Sequence, residues 1–477
     1  MMTVGTTLAV ALAYALVLER VNHVVSEPYM DEIFHVPQAQ KYCQGRFDEW
    51  DPKITTFPGV YFVGVAFARL YQWLGLSDTG SFCSISVLRS VNVAFAAGNT
   101  WLIIRLRQLL MPTDSNLLLH ALMITAFPVQ FFFSFVYYTD AGAVFFVLLM
   151  YFLALRANLV VRPVSPVGLI TSAMAGAAAV LFRQTNIVWV LFVAGTTLVR
   201  YVERSQGNVI YGSTKQDAKL GSTFVVRNSF FQVAINFVKA IFSDLLPLLS
   251  LLWPFIALVL GFIVFLVVNG GIVVGDKSNH EASIHGAQLL YFVFVASTGF
   301  GLSLFQPSQV LRFADSTRRQ AKSMGGLVFL ATIVGVVIAI IHFLSPVHKF
   351  MLADNRHYTF YVWRKFFLKH RLAKFIPSLL YMFQGWRCWT ELRRTRTPLW
   401  LFIYIIAVMI VLVPTPLVEP RYYLLPFVLM HLHTSRQSKW HLLLVIAAYS
   451  VVNAATIYIF LYRPYTWVDG TIARFMW

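Results

Sequence analysis

The sequence predicts an all-α polytopic membrane protein, and three observations carry that expectation. Apolar residues fill 58% of the 477 positions and charged residues only 12%, where a soluble domain has roughly 45–50% and about 25%. The apolar runs continue for about 20 residues, the length a helix needs to cross the hydrocarbon core. They do not alternate as the strands of a membrane β-barrel do. The charge that remains is lopsided, with 38 Lys and Arg against 20 Asp and Glu, net +18. Juxtamembrane Lys and Arg that set orientation and touch anionic headgroups account for most of that excess. Nucleic-acid binding is disfavoured, because the aromatic residues sit inside the apolar runs and not among a soluble basic patch.

Taken in order, the candidate spans are 3–25, 58–76, 83–104, 117–136, 138–158, 166–182, 185–202, 246–269, 286–306, 325–345, 398–415, 420–433 and 440–462. With 166–202 read as two short helices hinged at Arg183–Asn186 and 360–386 as an interfacial stretch, about 11–14 transmembrane helices are expected. The whole of 1–477 reads as one membrane-embedded domain. The first segment lacks a basic flank and a small-residue cleavage site, so it reads as a retained span and not a removed signal. Between spans lie the hydrophilic segments 26–57, 203–245, 271–284, 308–323 and 349–396. The last is strongly basic, and the positive-inside rule places much of it in the cytosol. The acidic 26–57 loop is then outside.

That first loop is the most informative stretch. It holds Glu27, Asp31, Glu32, Asp48, Glu49 and Asp51 in a chain otherwise short of acids. Asp31 and His35 share a face if they lie on a helix. Pro28 suits its first turn, and Pro37 is expected to limit its extent. Glu32 points about 100° away from Asp31. Asp31 is therefore the first choice for a general base, Glu32 the second and Asp51 the third. The three cysteines Cys43, Cys83 and Cys388 show no metal spacing and are not expected to form a disulfide framework. Cys43 reads as a free thiol.

Other polar clusters interrupt the apolar background: Tyr137–Asp140, Arg183–Asn186, Gly275–His280, Ala353–Tyr358 and Glu419–Tyr423. Ionisable groups at membrane depth cost roughly 2.5–3.5 kcal/mol each on insertion, so several in one chain point to a shared polar cavity. Glu419 and Arg421 read as a structural ion pair. His280 and His285 are five apart, the wrong spacing for one helix face, so no metal site is expected. No nucleotide-binding loop, dinucleotide fingerprint or hydrolase elbow is present. Glycosyl transfer from a lipid phosphate fits these residues. Its leaving group is already good, so the site needs one base for an acceptor hydroxyl and cations for the phosphate. No cofactor is called for. Arg356 and His357 are the first choices for the cations, then Lys277, His280 and Arg183. The acceptor sugar is expected on Tyr42, Trp50, Asp51 and Tyr61, close to Asp31 in sequence.

The blocks PYMDEIFHVPQAQKYC, WDPKITTFPGVY, FFFSFVYYTDA, RQTNIVWV, GDKSNH, ADNRHYTFYVWRK and EPRYY, in that order over residues 28–423, resemble the eukaryotic dolichyl-phosphate-glucose α-1,2-glucosyltransferase family. The resemblance implies a GT-C glycosyltransferase fold in the endoplasmic reticulum membrane, with a lumenal active site. It implies dolichyl phosphate glucose as donor and the diglucosylated dolichol-linked oligosaccharide as acceptor, joined with inversion. It also implies a catalytic acid in the first lumenal loop, matched by Asp31-Glu32. One departure is Phe57, where the family has proline. A sister transferase using dolichyl phosphate mannose would share the fold. A polytopic transporter would show inverted repeats and broken spans in matching halves, and the sequence has neither.

Overall fold

The structure is a computed structural model that describes residues 2–76, 82–159, 166–213, 226–277 and 283–477. The elements are helices α1 (Met2–Val24), α2 (Glu32–Cys43), α3 (Gly59–Trp73), α4 (Ile85–Leu110), α5 (Leu117–Thr125), α6 (Pro128–Phe132), α7 (Asp140–Leu159), α8 (Pro166–Phe182), α9 (Ile187–Tyr211) and α10 (Phe230–Ser243). They continue with α11 (Leu245–Asn269), α12 (Ala287–Ser297), α13 (Pro307–Gln320), α14 (Met324–Phe343), α15 (Lys349–Ala353), α16 (Tyr358–Val362), α17 (Ser378–Arg393), α18 (Pro398–Leu412), α19 (Leu424–His433) and α20 (Lys439–Tyr462). A small hairpin of β1 (Tyr465–Thr466) and β2 (Ile472–Ala473) follows. Among the described residues, eight helical stretches are long and apolar enough to cross a membrane. The protein is a multi-pass helical membrane protein.

Contacts between α1 and α4 define two ends. Arg89, near the start of α4, donates to the Val25 carbonyl at 2.6 Å, just past α1. Gln108, near the end of α4, donates to Thr3 at 3.4 Å. The two helices are antiparallel, with Asp31 at one end and the α1 start at the other. Burial separates inner from outer helices. α4 and α7 are largely buried, while α14 and α11 expose apolar faces through Val328, Phe329, Val264 and Val267. Apolar surface that would be a liability in water is what lipid solvates.

Four expectations are corrected. Segment 58–76 does not carry the chain across. Gly59 packs against Leu181 at the end of α8, and the chain re-enters α4 from Cys83 at the same end. The basic 349–396 segment is not one loop. Arg356 lies at the Asp31 end, α17 runs to the opposite end, and there Thr395 and Arg396 meet His433. The 16 residues of α17 mix buried polar groups with apolar ones, which hides the passage from a hydropathy reading. α2 runs straight through Pro37. Burial of Val36, Ala39, Tyr42 and Cys43 along its packed face offsets the roughly 3 kcal/mol that an interior proline costs. Finally, Cys43 is not a free thiol: it is disulfide-bonded to Cys83, with Cα atoms 6.4 Å apart. Their separation of 40 residues is closed by α3 folding back, which no local spacing reveals.

Candidate active site

The first loop turns sharply before Asp31. Met30 has φ of 56°, the only positive φ among the described non-glycine residues. A side chain there costs of order 1–3 kcal/mol and persists only when its surroundings hold it. The Asp31 N–H donates to the Tyr138 hydroxyl at 3.0 Å, and the Phe34 and His35 N–H groups close the first turn of α2 onto the Asp31 carbonyl. The loop that supplies Tyr138 is fixed in turn by α4. Asn92 Nδ2 donates to the carbonyls of Val136 and Tyr138 at 2.6 and 2.9 Å.

The two neighbouring carboxylates have opposite fates. Glu32 is fully buried and accepts four bonds: Arg89 Nε at 2.9 Å, Arg89 Nη2 at 2.6 Å, and the N–H groups of Tyr137 at 2.6 Å and Tyr29 at 3.1 Å. It ties the first loop to α4 and has no face left for a substrate. Asp31 keeps 41% of its side chain exposed and meets Arg421 Nη1 at 3.3 Å. His35 is not its partner as the spacing suggests. Its Nδ1 meets the Tyr61 hydroxyl at 2.6 Å.

Arg421 sits on a 3₁₀ turn, Pro420–Tyr423, between α18 and α19. Pro420 suits the first position of such a turn. Gln288, on α12, clamps the preceding strand of chain by donating to Leu417 O at 2.8 Å. The Glu419–Arg421 ion pair is present, and the guanidinium goes further, to Asp31 and towards Asp140 at 4.0 Å. Burial opposes its charge, but Glu419, Asp31 and Asp140 outweigh burial and keep it firmly protonated.

Asp31, Glu419 and Arg421 line a cavity of about 400 Å³, within the range of small-ligand sites. Asp354, Arg356 and His357 also line it, with Trp467 and Trp477. Asp354 takes Arg356 Nε at 2.8 Å and Nη2 at 2.7 Å, and His357 Nε2 lies 3.4 Å away. Burial works against the Asp354 charge, yet His357 and Arg356 hold its carboxyl well below the usual carboxylate range. Arg183 is ion-paired with Asp140 in a smaller adjoining cavity of about 40 Å³, which Arg421 also lines. The structure thus gathers Asp31, Arg356, His357 and, one step away, Arg183.

The remaining expected residues are placed elsewhere. Lys277 is exposed, donates to the Asn269 carbonyl and does not line the cavity. His280 lies outside the described residues. Tyr42 and Tyr61 are core residues, packed edge to face with centroids 5.7 Å apart, and Trp50 packs on Tyr61 at 5.8 Å. Asp51 spends its N–H on Gln38 Oε1 at 2.9 Å and its carboxylate on the Lys53 N–H. These four build the packing under α2 and leave the cavity to other aromatics. Four residues that build or line this cavity escaped sequence reasoning: Arg89 and Asn92, which fix the loops around Asp31, and Trp467 and Trp477. A signal existed for the first two, as polar residues inside an apolar span. The tryptophans lie in the chain's last stretch, beyond every motif block.

A family model described as the DIE2/ALG10 family matches residues 25–432. The chain belongs to that family. A relative from Rattus norvegicus, named Dol-P-Glc:Glc(2)Man(9)GlcNAc(2)-PP-Dol alpha-1,2-glucosyltransferase, is 37% identical over 98% of this chain and 96% of its own. Relatives of the same name from Homo sapiens and Arabidopsis thaliana are 35% identical (98% and 96% covered) and 36% identical (96% of each chain). Among solved structures, an oligosaccharyltransferase of Archaeoglobus fulgidus aligns with 90% of this chain and 54% of its own, at 11% identity and a TM-score of 0.31.

Proposed function

We propose that this family member transfers glucose from dolichyl phosphate glucose to the terminal glucose of a diglucosylated dolichol-linked oligosaccharide, forming an α-1,2 linkage. The chain acts as a single membrane-embedded GT-C unit of residues 1–477 in the endoplasmic reticulum, with the Asp31 end in the lumen. The near-full-length match to relatives carrying that activity in their names supports the reaction. The observation that carries the chemistry is the half-exposed Asp31 carboxylate, paired with Arg421 at 3.3 Å, in a cavity that Arg356 and His357 also line.

In this reading Asp31 takes the proton from the acceptor's 2-hydroxyl. The oxygen attacks C1 of the donor glucose on the side opposite the phosphate. The C1–O bond breaks, and dolichyl phosphate leaves with the bonding electrons. Attack from the opposite side turns a β-linked donor into an α-linked product. Arg421 and Arg356 face the charge that builds on the leaving phosphate, where fixed cations stabilise the transition state more than the ground state. Arg183 supports Arg421 by occupying Asp140, which otherwise competes for the same guanidinium. Glu32 serves by position only, holding the loop that presents Asp31.

The test is transfer of labelled glucose from dolichyl phosphate glucose to the diglucosylated lipid-linked oligosaccharide, wild type against Asp31→Asn. Wild-type transfer with loss of at least about 10²-fold in the variant is expected. Full activity in Asp31→Asn removes Asp31 from the mechanism. Transfer from dolichyl phosphate mannose in preference to glucose replaces the donor.

A further inference from the structure

The cavity described above lacks the sugar-binding surface that the first loop was expected to give it, because Tyr42, Tyr61 and Trp50 are packed under α2. A different element supplies aromatic surface. The β1–β2 hairpin pairs Tyr465 with Ala473 and Thr466 with Ile472. Its turn is closed by the Trp467 N–H donating to the Thr471 carbonyl at 3.0 Å, which presents the Trp467 indole at the cavity.

This hairpin and the residues after it are anchored both to the segment that carries Arg356 and to the first loop. The Tyr465 hydroxyl donates to Asn355 Oδ1 at 2.6 Å. The Met476 N–H donates to the Arg356 carbonyl at 2.8 Å. The Tyr29 hydroxyl, from the first loop, donates to the Arg474 carbonyl at 2.8 Å. The Arg356 guanidinium carbon lies 4.7 Å from the Trp467 ring centroid, a cation–π contact that fixes the indole relative to the cation. Beside it, the Trp477 Nε1–H is buried with no acceptor among the described residues, and Trp477 lines the same cavity.

We propose that Trp467 is the platform for the glucosyl ring of the donor, with Trp477 lining the cavity beside it. The proposal rests on the transferase reading above and names the surface that reads the sugar. A β-glucosyl ring carries all its substituents equatorially, so each face presents axial C–H groups. Such a face fits the electron-rich face of an indole. The donor ring is assigned in preference to the acceptor's because Trp467 is stacked with Arg356, the proposed phosphate partner, and the glucosyl carbon is one oxygen from that phosphate. Asp354 uses only two of the five N–H groups of Arg356, leaving others for an anion.

The experiment compares equilibrium binding of dolichyl phosphate glucose and of dolichyl phosphate, which lacks the sugar, to the purified full chain. Wild type is expected to prefer the glucosylated lipid. Trp467→Ala should weaken its binding by about tenfold and leave dolichyl phosphate binding within about twofold. Trp467→Phe should restore most of the preference, and the KM for the oligosaccharide should stay at the wild-type value. Equal weakening of both lipids overturns the platform and makes the hairpin a support for Arg356. No change in either lipid, or a change in the oligosaccharide KM alone, overturns it as well. A wild type that transfers glucose yet binds both lipids alike overturns the platform and leaves the transferase reading standing. A wild type that transfers no glucose overturns both.

Discussion

The two ends of the molecule use the same side chains to opposite purpose. At the end away from Asp31, Arg107 donates to Asp114 at 2.7 and 3.0 Å, and to the carbonyls of Thr434, Leu432 and His431 at 2.7, 3.1 and 3.3 Å. His120 lies on the same guanidinium at 3.0 Å, and Arg107, Asp114 and His120 are sealed from solvent. That cluster caps the end of α19, whose last carbonyls have no partner within the helix, and ties it to α4. At the Asp31 end, Arg421 reaches three carboxylates, and of the two that line the large cavity Asp31 remains 41% exposed. A buried ion pair with every donor matched is a structural clasp. An ion pair with one member open to a cavity can exchange that partner for a substrate.

The largest expected effect would break this contrast if it failed to appear. Arg107→Met leaves the Asp114 charge and three carbonyls buried without their donor. Removing one partner of a buried pair costs about 3–5 kcal/mol. Thermal unfolding in detergent should show that loss, while the folded fraction keeps the wild-type KM for both lipids. A variant with normal stability but altered KM would place the clasp in the chemistry and erase the distinction between the ends.

The sharpest version of the comparison is within two residues. Asp31→Asn should lower turnover by at least about 10²-fold with an unfolding temperature close to wild type, since its carboxylate faces a cavity. Glu32→Gln should do the reverse. It leaves Arg89 buried opposite a neutral group, at a cost of about 2–3 kcal/mol, and the protein that still folds should turn over at nearly the wild-type rate. Measuring kcat and unfolding temperature on both variants checks the pair together. Loss of kcat in Glu32→Gln with retained stability would move the base one residue along.

The fold class was legible because lipid imposes long apolar helices and composition reports them directly. The first loop stood out as a candidate site because a polar, acidic loop after a first span is conspicuous in a basic chain, and its Asp31 lines a cavity beside Arg421. The limits are equally physical. α17 crosses with Gln384, Arg387 and Glu391 buried inside it, so hydropathy reads it as a loop. Tyr61 was expected to hold the acceptor sugar, yet it is fully buried with its hydroxyl on His35. Sequence proximity to Asp31 says nothing about which face of a helix a neighbour takes. Trp467 joins the cavity only through tertiary contacts of a hairpin more than four hundred residues from Asp31.

The smallest effect concerns His35, which underlies the exposed carboxylate without sharing its exposure. Burial pushes its pKa below the ordinary histidine value; Asp31 pulls the other way and Arg421 adds to the depression. The folded protein therefore favours the neutral ring that meets the Tyr61 hydroxyl at 2.6 Å. An unfolded histidine binds a proton near pH 6.5, so below that pH the unfolded state holds more protons and stability rises with pH. The contribution is complete above about pH 6.5 and is lost as pH falls towards the folded value. His35→Phe should flatten that part of the unfolding curve. The drop in wild-type unfolding temperature between about pH 6.5 and 5.5 should exceed the drop in the variant by a few degrees or less. An identical slope in both would mean that the ring titrates as freely in the folded protein as in the unfolded one, and that the Asp31 turn is not built on a neutral histidine.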